Sequence, residues 1–258
     1  MDAQQVENYL KRINYDGSRE LTGATLDALV RAHVSSVPFD TLTTSDFHQC
    51  PSLDEDDLYK KIVEDRRGGY CFEMNTCFNA LLQALGFETY LLGVRGAWPG
   101  RPTSFITHMA ILAKAEGKEW FCDVGFGGPG PKGAMELREG EQSFMNGEKF
   151  RFRFEDDWCI IQGNRDGEWA DSQKFEHRET IPADFIPLNY YMGANPESGF
   201  RKRRTINLTL PGGSKALTDM HYTYRMNGEV TEKDIKDKAE LEQLLKDEFG
   251  LDVRLPDE

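Results

Sequence analysis

The hydrophobic period of this chain changes at Gly86. Before that point apolar residues recur at helical spacing, as at Leu10 and Ile13, which predicts helices. After it, short runs rich in β-branched and aromatic residues are separated by glycine-containing turns, and residues 150–154 alternate strictly, which predicts strands. Residues 240–249 return to the helical period and predict a terminal helix. This order of helices, then strands, then a mixed end predicts an α+β fold.

The acidic charge balance disfavours binding to nucleic acids and to anionic membranes. The 258 residues include 44 acidic and 31 basic side chains, for a net charge of -13. Nucleic acids and anionic lipid surfaces both select basic faces, so we expect no nucleic-acid and no membrane partner. No run approaches 18 apolar residues, which predicts no membrane span. Residues 1–17 lack the basic and apolar regions of a secretion signal, so we expect a cytoplasmic protein with reduced cysteines.

The strongest local motif is Arg67-Gly68-Gly69-Tyr70-Cys71. The two glycines permit close approach of the backbone to a ligand, and the cysteine opens a predicted helix. A helix N-terminus and nearby arginines favour the thiolate, which is the nucleophilic form of cysteine. The alternative is a buried structural cysteine, the commoner role of this residue type. Spacing alone leaves both interpretations open.

A cysteine nucleophile needs a base, and the base needs a group that orients it. His108 begins an apolar strand and is the candidate base, with a core histidine bonded to a backbone carbonyl as the alternative. Asp123 lies in an apolar run, where a carboxylate is costly to bury unless it is hydrogen-bonded; an imidazole N–H would satisfy it. Residues 125–128, Gly-Phe-Gly-Gly, offer backbone amides to phosphates but do not form a Walker A motif. The cysteine spacing predicts no metal site.

These motifs, in this order, resemble those of the arylamine N-acetyltransferases, and the resemblance covers essentially the whole chain. It is carried by residues 37–40 (VPFD), 67–71 (RGGYC), 107–109 (THM), 123–127 (DVGFG) and 198–200 (SGF). It implies three domains: an N-terminal helical bundle with the nucleophile (1–86), a central antiparallel β-barrel with the histidine and aspartate (87–183), and a C-terminal α/β lid (184–258).

The resemblance also implies a reaction. Cys71, His108 and Asp123 would form a catalytic triad related in geometry to that of papain-like cysteine enzymes. Cys71 would take an acetyl group from acetyl-CoA and pass it to an arylamine, arylhydroxylamine or hydrazine, a ping-pong reaction through a thioester intermediate. The expected setting is xenobiotic metabolism, with acetyl-CoA and the amine as small-molecule partners and no metal.

Other positions carry over from the family motif. The aromatic residues that match its amine pocket, with core packing as their alternative role, are Phe39, Tyr70, Phe126 and Phe200. The residues that match the neighbourhood of the pantetheine arm are Thr107, Gly125 and Gly127. Asp40 and Arg67 match a structural ion pair in which the family more often has glutamate. The densest basic run, residues 201–204, is predicted as a strand whose cations either contact CoA phosphates or blunt a solvated edge.

Several functions stay open at this stage. The same fold could use another acyl-CoA or act as an amide synthase. A transglutaminase-like or papain-like cysteine hydrolase would share the triad but release its product to water. A non-catalytic binding protein is disfavoured because all three triad residues are present. Segment 96–104 varies within the family, and the sequence sets neither the amine nor the acyl chain nor the oligomeric state.

Overall fold

The computed structural model describes residues 1–97 and 105–257, so most of the variable segment 96–104 lies outside the described residues. The first part of the chain is helical, as the hydrophobic period predicts. Its elements are α1 (Ala3–Arg12), α2 (Gly23–Ser36), the short strand β1 (Phe39–Asp40), α3 (Leu42–Ser45), α4 (Glu55–Tyr59) with a following π-helical turn (Lys60–Glu64), and α5 (Cys71–Leu85).

Local sequence signals set the ends of these helices. The Asp2 side chain accepts a hydrogen bond from the backbone of Gln5 at the start of α1. Thr22 caps α2 and Asp54 caps α4 in the same way, which satisfies N–H groups that have no partner inside a helix. Gly86 ends α5 with φ 102°, a left-handed conformation that favours glycine.

An eight-stranded antiparallel sheet follows and curves into a nearly closed barrel. Its strands are β2 (Glu88–Gly96), β3 (His108–Ala115), β4 (Lys118–Cys122), β5 (Met135–Glu136), β6 (Gly140–Ser143), β7 (Lys149–Glu155), β8 (Trp158–Arg165) and β9 (Glu168–Glu176). They are ordered β5-β4-β3-β2-β9-β8-β7-β6. Buried side chains fill the interior, with Phe121 stacked on Phe175 at 5.4 Å between ring centroids.

The last part of the chain mixes helices with a second sheet. It contains a 3-10 turn (Pro182–Asp184), α6 (Phe185–Ala194), α7 (Gly199–Lys202), β10 (Thr205–Leu210), β11 (Gly213–Thr218), β12 (His221–Met226), β13 (Glu229–Asp234) and α8 (Lys238–Phe249). The mixture of helices with an antiparallel barrel-like sheet confirms the α+β prediction. None of the helices in the described parts of the chain combines the length and apolar character that crossing a membrane requires.

The strand β1 connects the N-terminal helical part of the chain to the C-terminal sheet. Phe39 is paired with Asn207 and Asp40 with Ile206, so β1 is the edge of the sheet β1-β10-β11-β12-β13. The Asp40 N–H also donates to the carbonyl of Gly69 at 3.0 Å. The C-terminal sheet is thereby held next to the glycine motif that precedes Cys71.

Candidate active site

Cys71 is the first residue of α5 and is only 2% exposed. The backbone of Tyr70 donates to the carboxylate of Glu73 at 3.1 Å, and Lys61 pairs with the same carboxylate at 2.5 Å. These contacts fix the beginning of α5. The free N–H groups of a first helical turn favour negative charge, so the thiol stands where a thiolate or an oxyanion is stabilised.

His108 and Asp123 are placed by two neighbouring strands. His108 begins β3, and Asp123 follows directly after β4, which is antiparallel to β3. Both residues therefore lie at the same end of the barrel. The distance from His108 Nε2 to Asp123 Oδ2 is 2.6 Å, and both side chains are buried. This places an imidazole and a carboxylate in the relation that fixes a catalytic histidine.

The electrostatics of this pair favour an ionised state. Burial would lower the pKa of His108, but the charges and hydrogen bonds of Asp123 and Cys71 outweigh it and raise that pKa to about 10. Burial would raise the pKa of Asp123, yet His108 and two further hydrogen-bond donors lower it. Since an imidazolium and a carboxylate stabilise each other, His108 is suited to hold a proton taken from Cys71.

Asn75 completes the network, although the sequence motifs did not single it out. It lies one helical turn after Cys71, on the same face of α5. Its amide donates to Asp123 Oδ1 at 2.9 Å and to the carbonyl of Met109 at 2.7 Å, and its oxygen accepts from the Val124 N–H at 3.0 Å. A polar residue four positions after the cysteine, one turn along the same helix, is the signal that could have found it.

The structure brings together the four aromatic residues that the family motif assigns to the amine pocket. The Phe126 ring lies 5.1 Å from the His108 ring, measured between centroids. Phe200 packs edge-on against both Phe39 and Tyr70, at 6.2 and 5.5 Å. Phe126 borders the triad directly and Tyr70 precedes Cys71 in the chain, while contact of the four rings with an amine stays a prediction.

Thr107, Gly125 and Gly127 also lie at the site. The carbonyl of Thr107 is 3.9 Å from Cys71 Sγ. A Cβ added to Gly125 would stand 2.6 Å from Cys71 Cα, and one added to Gly127 would stand 2.8 Å from the Phe39 ring. Glycine is therefore required at both positions for this close packing. Their contact with a pantetheine arm stays a prediction.

The expected ion pair between Asp40 and Arg67 is not formed. Asp40 Oδ1 accepts from the Leu42 N–H at 3.0 Å, and Oδ2 has no hydrogen-bond partner. Nε and Nη2 of Arg67 also lack partners, and the guanidinium lies 5.5 Å from the centre of the Phe47 ring. Aspartate is one methylene shorter than the glutamate more common in the family, and it turns towards α3 instead of reaching the arginine.

The basic run 201–204 is not a strand, contrary to the prediction. Its first two residues belong to the helical turn α7, which begins where the Ser198 side chain accepts from the Phe200 N–H. Three of its four cations pair with nearby carboxylates: Lys202 with Glu197, Arg203 with Asp219, and Arg204 with Asp46. These pairs neutralise much of the charge that a CoA phosphate would require.

Comparison with known proteins connects this arrangement to one family. A model of the N-acetyltransferase family matches residues 22–257. The arylamine N-acetyltransferase of Escherichia coli is 33% identical over 254 residues, which cover 96% of this chain and 89% of that protein. The chain belongs to the arylamine N-acetyltransferase family. The resemblance predicted from its motifs is confirmed, and so is the prediction of a transferase.

Solved structures of arylamine N-acetyltransferases share the fold. The protein from Salmonella typhimurium superposes with a TM-score of 0.92 at 28% identity, covering 98% of this chain and 93% of that one. The Mycobacterium marinum enzyme, solved in complex with CoA, superposes with a TM-score of 0.88 at 26% identity, covering 96% of this chain and 93% of that one.

In residues 1–97 and 105–257 no group of three or more His, Cys, Asp or Glu side chains could hold a metal ion.

Proposed function

We propose that this protein transfers an acetyl group from acetyl-CoA to the nitrogen of an arylamine, arylhydroxylamine or hydrazine through an acetyl-Cys71 intermediate. The proposal depends on the buried set Cys71, His108 and Asp123. His108 pairs with Asp123 at 2.6 Å, and the carbonyl of its neighbour Thr107 lies 3.9 Å from Cys71 Sγ. Membership of the family supports the acceptor class, and the CoA complex of a relative supports the donor.

In the first half-reaction His108 takes the proton from the Cys71 thiol. The thiolate attacks the carbonyl carbon of the thioester, and the N–H groups at the start of α5 stabilise the resulting oxyanion. The bond to the CoA sulfur then breaks, and CoA leaves with the proton held by His108. Asp123, whose pKa is lowered against the effect of burial, stays ionised and stabilises the imidazolium throughout.

In the second half-reaction the amine attacks the carbonyl carbon of acetyl-Cys71. Weakly basic arylamines are neutral near pH 7, so their lone pair is available without a strong base. His108 accepts the amine proton and returns it to the departing Cys71 sulfur, which restores the enzyme. The low exposure of Cys71 limits access of water and favours transfer over hydrolysis.

We assign the three segments of the chain distinct parts in this reaction. Residues 1–86 supply the nucleophile, 87–183 the base and its orienting carboxylate, and 184–258 a covering lid. The aromatic set of Phe39, Tyr70, Phe126 and Phe200 forms the acceptor pocket. The hydrogen bond from the Tyr70 hydroxyl to the Asn189 side chain of α6, which couples the nucleophile segment to the lid, supports this division.

Steady-state kinetics test the proposal. Rates measured against amine at several acetyl-CoA concentrations should give parallel double-reciprocal lines, the pattern of a ping-pong reaction. Cys71→Ser should abolish turnover, whereas Cys50→Ser, which removes an exposed thiol, should retain it. Intersecting lines, or turnover by Cys71→Ser, would contradict the acetyl-cysteine intermediate. CoA release at an undiminished rate without amine would instead identify a hydrolase.

A further inference from the structure

The active-site loop, defined here as residues 125–128, contacts both the base and the proposed acceptor pocket. Its Phe126 ring lies against the His108 ring, and Gly127 lies against Phe39. The Gly125 N–H donates to Asp123 Oδ1 at 2.9 Å, which fixes the beginning of the loop to the triad. The placement of the remaining residues depends on other contacts.

Two side chains outside the triad hold three successive carbonyls of this loop. Lys132 Nζ donates to the carbonyl of Phe126 at 3.1 Å and to that of Gly128 at 3.3 Å. Asn207 Nδ2, on β10, donates to the carbonyl of Gly127 at 2.9 Å. Because each peptide unit is planar, fixing its carbonyl also fixes the path of the loop and hence where the Phe126 ring stands.

The Lys132 contacts are unusual for a lysine. Within the described residues its ammonium forms no ion pair and bonds only to backbone carbonyls. Burial lowers the pKa of Lys132, against the opposing effect of Asp123 and Glu148. Partial withdrawal of an ammonium from water without a paired carboxylate is costly. In this position the Lys132 ammonium is a charged donor that bonds two carbonyls of the loop at once.

We propose that Lys132 and Asn207 are positioning residues for the acceptor half-reaction. By fixing the active-site loop they keep the Phe126 ring against His108, so that an aromatic amine is presented to acetyl-Cys71. This inference rests on the proposed function. Acceptors that contact the ring depend on its placement, whereas a small acceptor such as hydrazine needs only acetyl-Cys71 and His108. Loss of either donor should therefore slow acetyl transfer to aromatic amines more than transfer to hydrazine.

The test compares Lys132→Met and Asn207→Leu, which remove the donors at similar side-chain size. Each protein is acetylated with acetyl-CoA, freed of excess CoA and mixed with aniline or hydrazine, and the decay of the acetyl-enzyme is followed. We expect the rate with aniline to fall by about tenfold or more, and the rate with hydrazine to change by less than about twofold. Lys149→Met, which removes an exposed lysine of β7 paired with Glu141, should leave both rates unchanged.

The outcomes separate the inference from the proposed function. An equal fall with both acceptors, or no change with either, would overturn the positioning role. A wild-type protein that forms no acetyl-enzyme would overturn the proposed function and with it the inference. The rate of Cys71 alkylation by iodoacetamide identifies variants whose triad is intact. Because two separate donors are tested, the second variant still tests the positioning role if the first one misfolds.

Discussion

At the scale of single residues, the contacts of His108 favour its charged form, since they raise its pKa against the effect of burial. The imidazolium is stabilised by Asp123 at 2.6 Å, within a buried environment that would otherwise favour the neutral ring. The sequence motifs predict Cys71, His108 and Asp123 as one set, and the structure places His108 against Asp123 and Cys71 near the Thr107 carbonyl. They could not predict Asn75, because its role depends on α5 packing against β3, a contact between segments that are separate in the sequence.

Asp123→Asn removes the charge and keeps the shape of the side chain. The pKa of His108 then falls, because Asp123 is the charged partner that raises it, and the imidazolium is less populated. We expect kcat/KM to fall by about ten-thousandfold, as in triads that lose this carboxylate. Alkylation of Cys71 by iodoacetamide at pH 7 should slow in parallel. Unchanged alkylation would show that Asp123 does not control the reactivity of Cys71.

Asn75→Leu removes three buried hydrogen bonds and leaves the Val124 N–H and the Met109 carbonyl without partners. Each orphaned group costs about 1–3 kcal/mol, so we expect the free energy of unfolding to fall by about 3 kcal/mol. Asn79→Leu, a change on the same helix at a residue that accepts one hydrogen bond from Thr89, is the matched control and should cost less. Urea denaturation measures both, and equal losses would refute the network.

At the scale of elements, strands with strong alternation were predictable and short ones were not. Residues 150–154 and the run beginning at His108 form strands as their patterns predict. The two-residue strand β1 carries no detectable period, because its place depends on pairing with β10 far along the chain. The prediction of a strand at residues 201–204 is wrong, because charge patterning does not reveal the Ser198 cap that starts α7.

The active-site loop approaches the first residue of α5 closely at Gly125. Gly125→Ala would place a methyl group 2.6 Å from the Cα atom of Cys71, so the loop must move away from the nucleophile. We expect acetyl transfer to fall by about a hundredfold, because displacement of about 1 Å has effects of that size. Gly199→Ala is the control, since its added Cβ would have no atom within 4 Å apart from its chain neighbours and the backbone of its own helix. Equal activities of the two variants would contradict the close packing.

At the scale of the whole molecule, the helical core contains a histidine that opposes folding at low pH. His33 is fully buried between the rings of Tyr9 and Phe78, and neither of its ring nitrogens has a hydrogen-bond partner. Burial lowers the pKa of His33 to about 3. The unfolded chain therefore binds a proton at His33 below about pH 6.5, while the folded protein does not.

The stability that His33 contributes is present above about pH 6.5 and is lost as the pH falls towards 3. Between pH 7 and pH 5 this residue should lower the free energy of unfolding by about 2 kcal/mol. His33→Leu should remove that part of the pH dependence, as measured by urea denaturation at the two pH values. An identical pH dependence in the variant would contradict the buried neutral histidine. His108, whose pKa is raised, acts in the opposite direction and loses its contribution as the pH rises above 6.5.

The intact mass of the protein after mixing with acetyl-CoA, in the absence of amine, tests the central claim most directly. The account predicts an increase of about 42 Da, the mass of an acetyl group replacing hydrogen, located on Cys71 by peptide mapping. Addition of an arylamine should return the protein to its original mass and release the acetylated amine. An unmodified protein that releases CoA steadily without amine would contradict the account and identify a hydrolase.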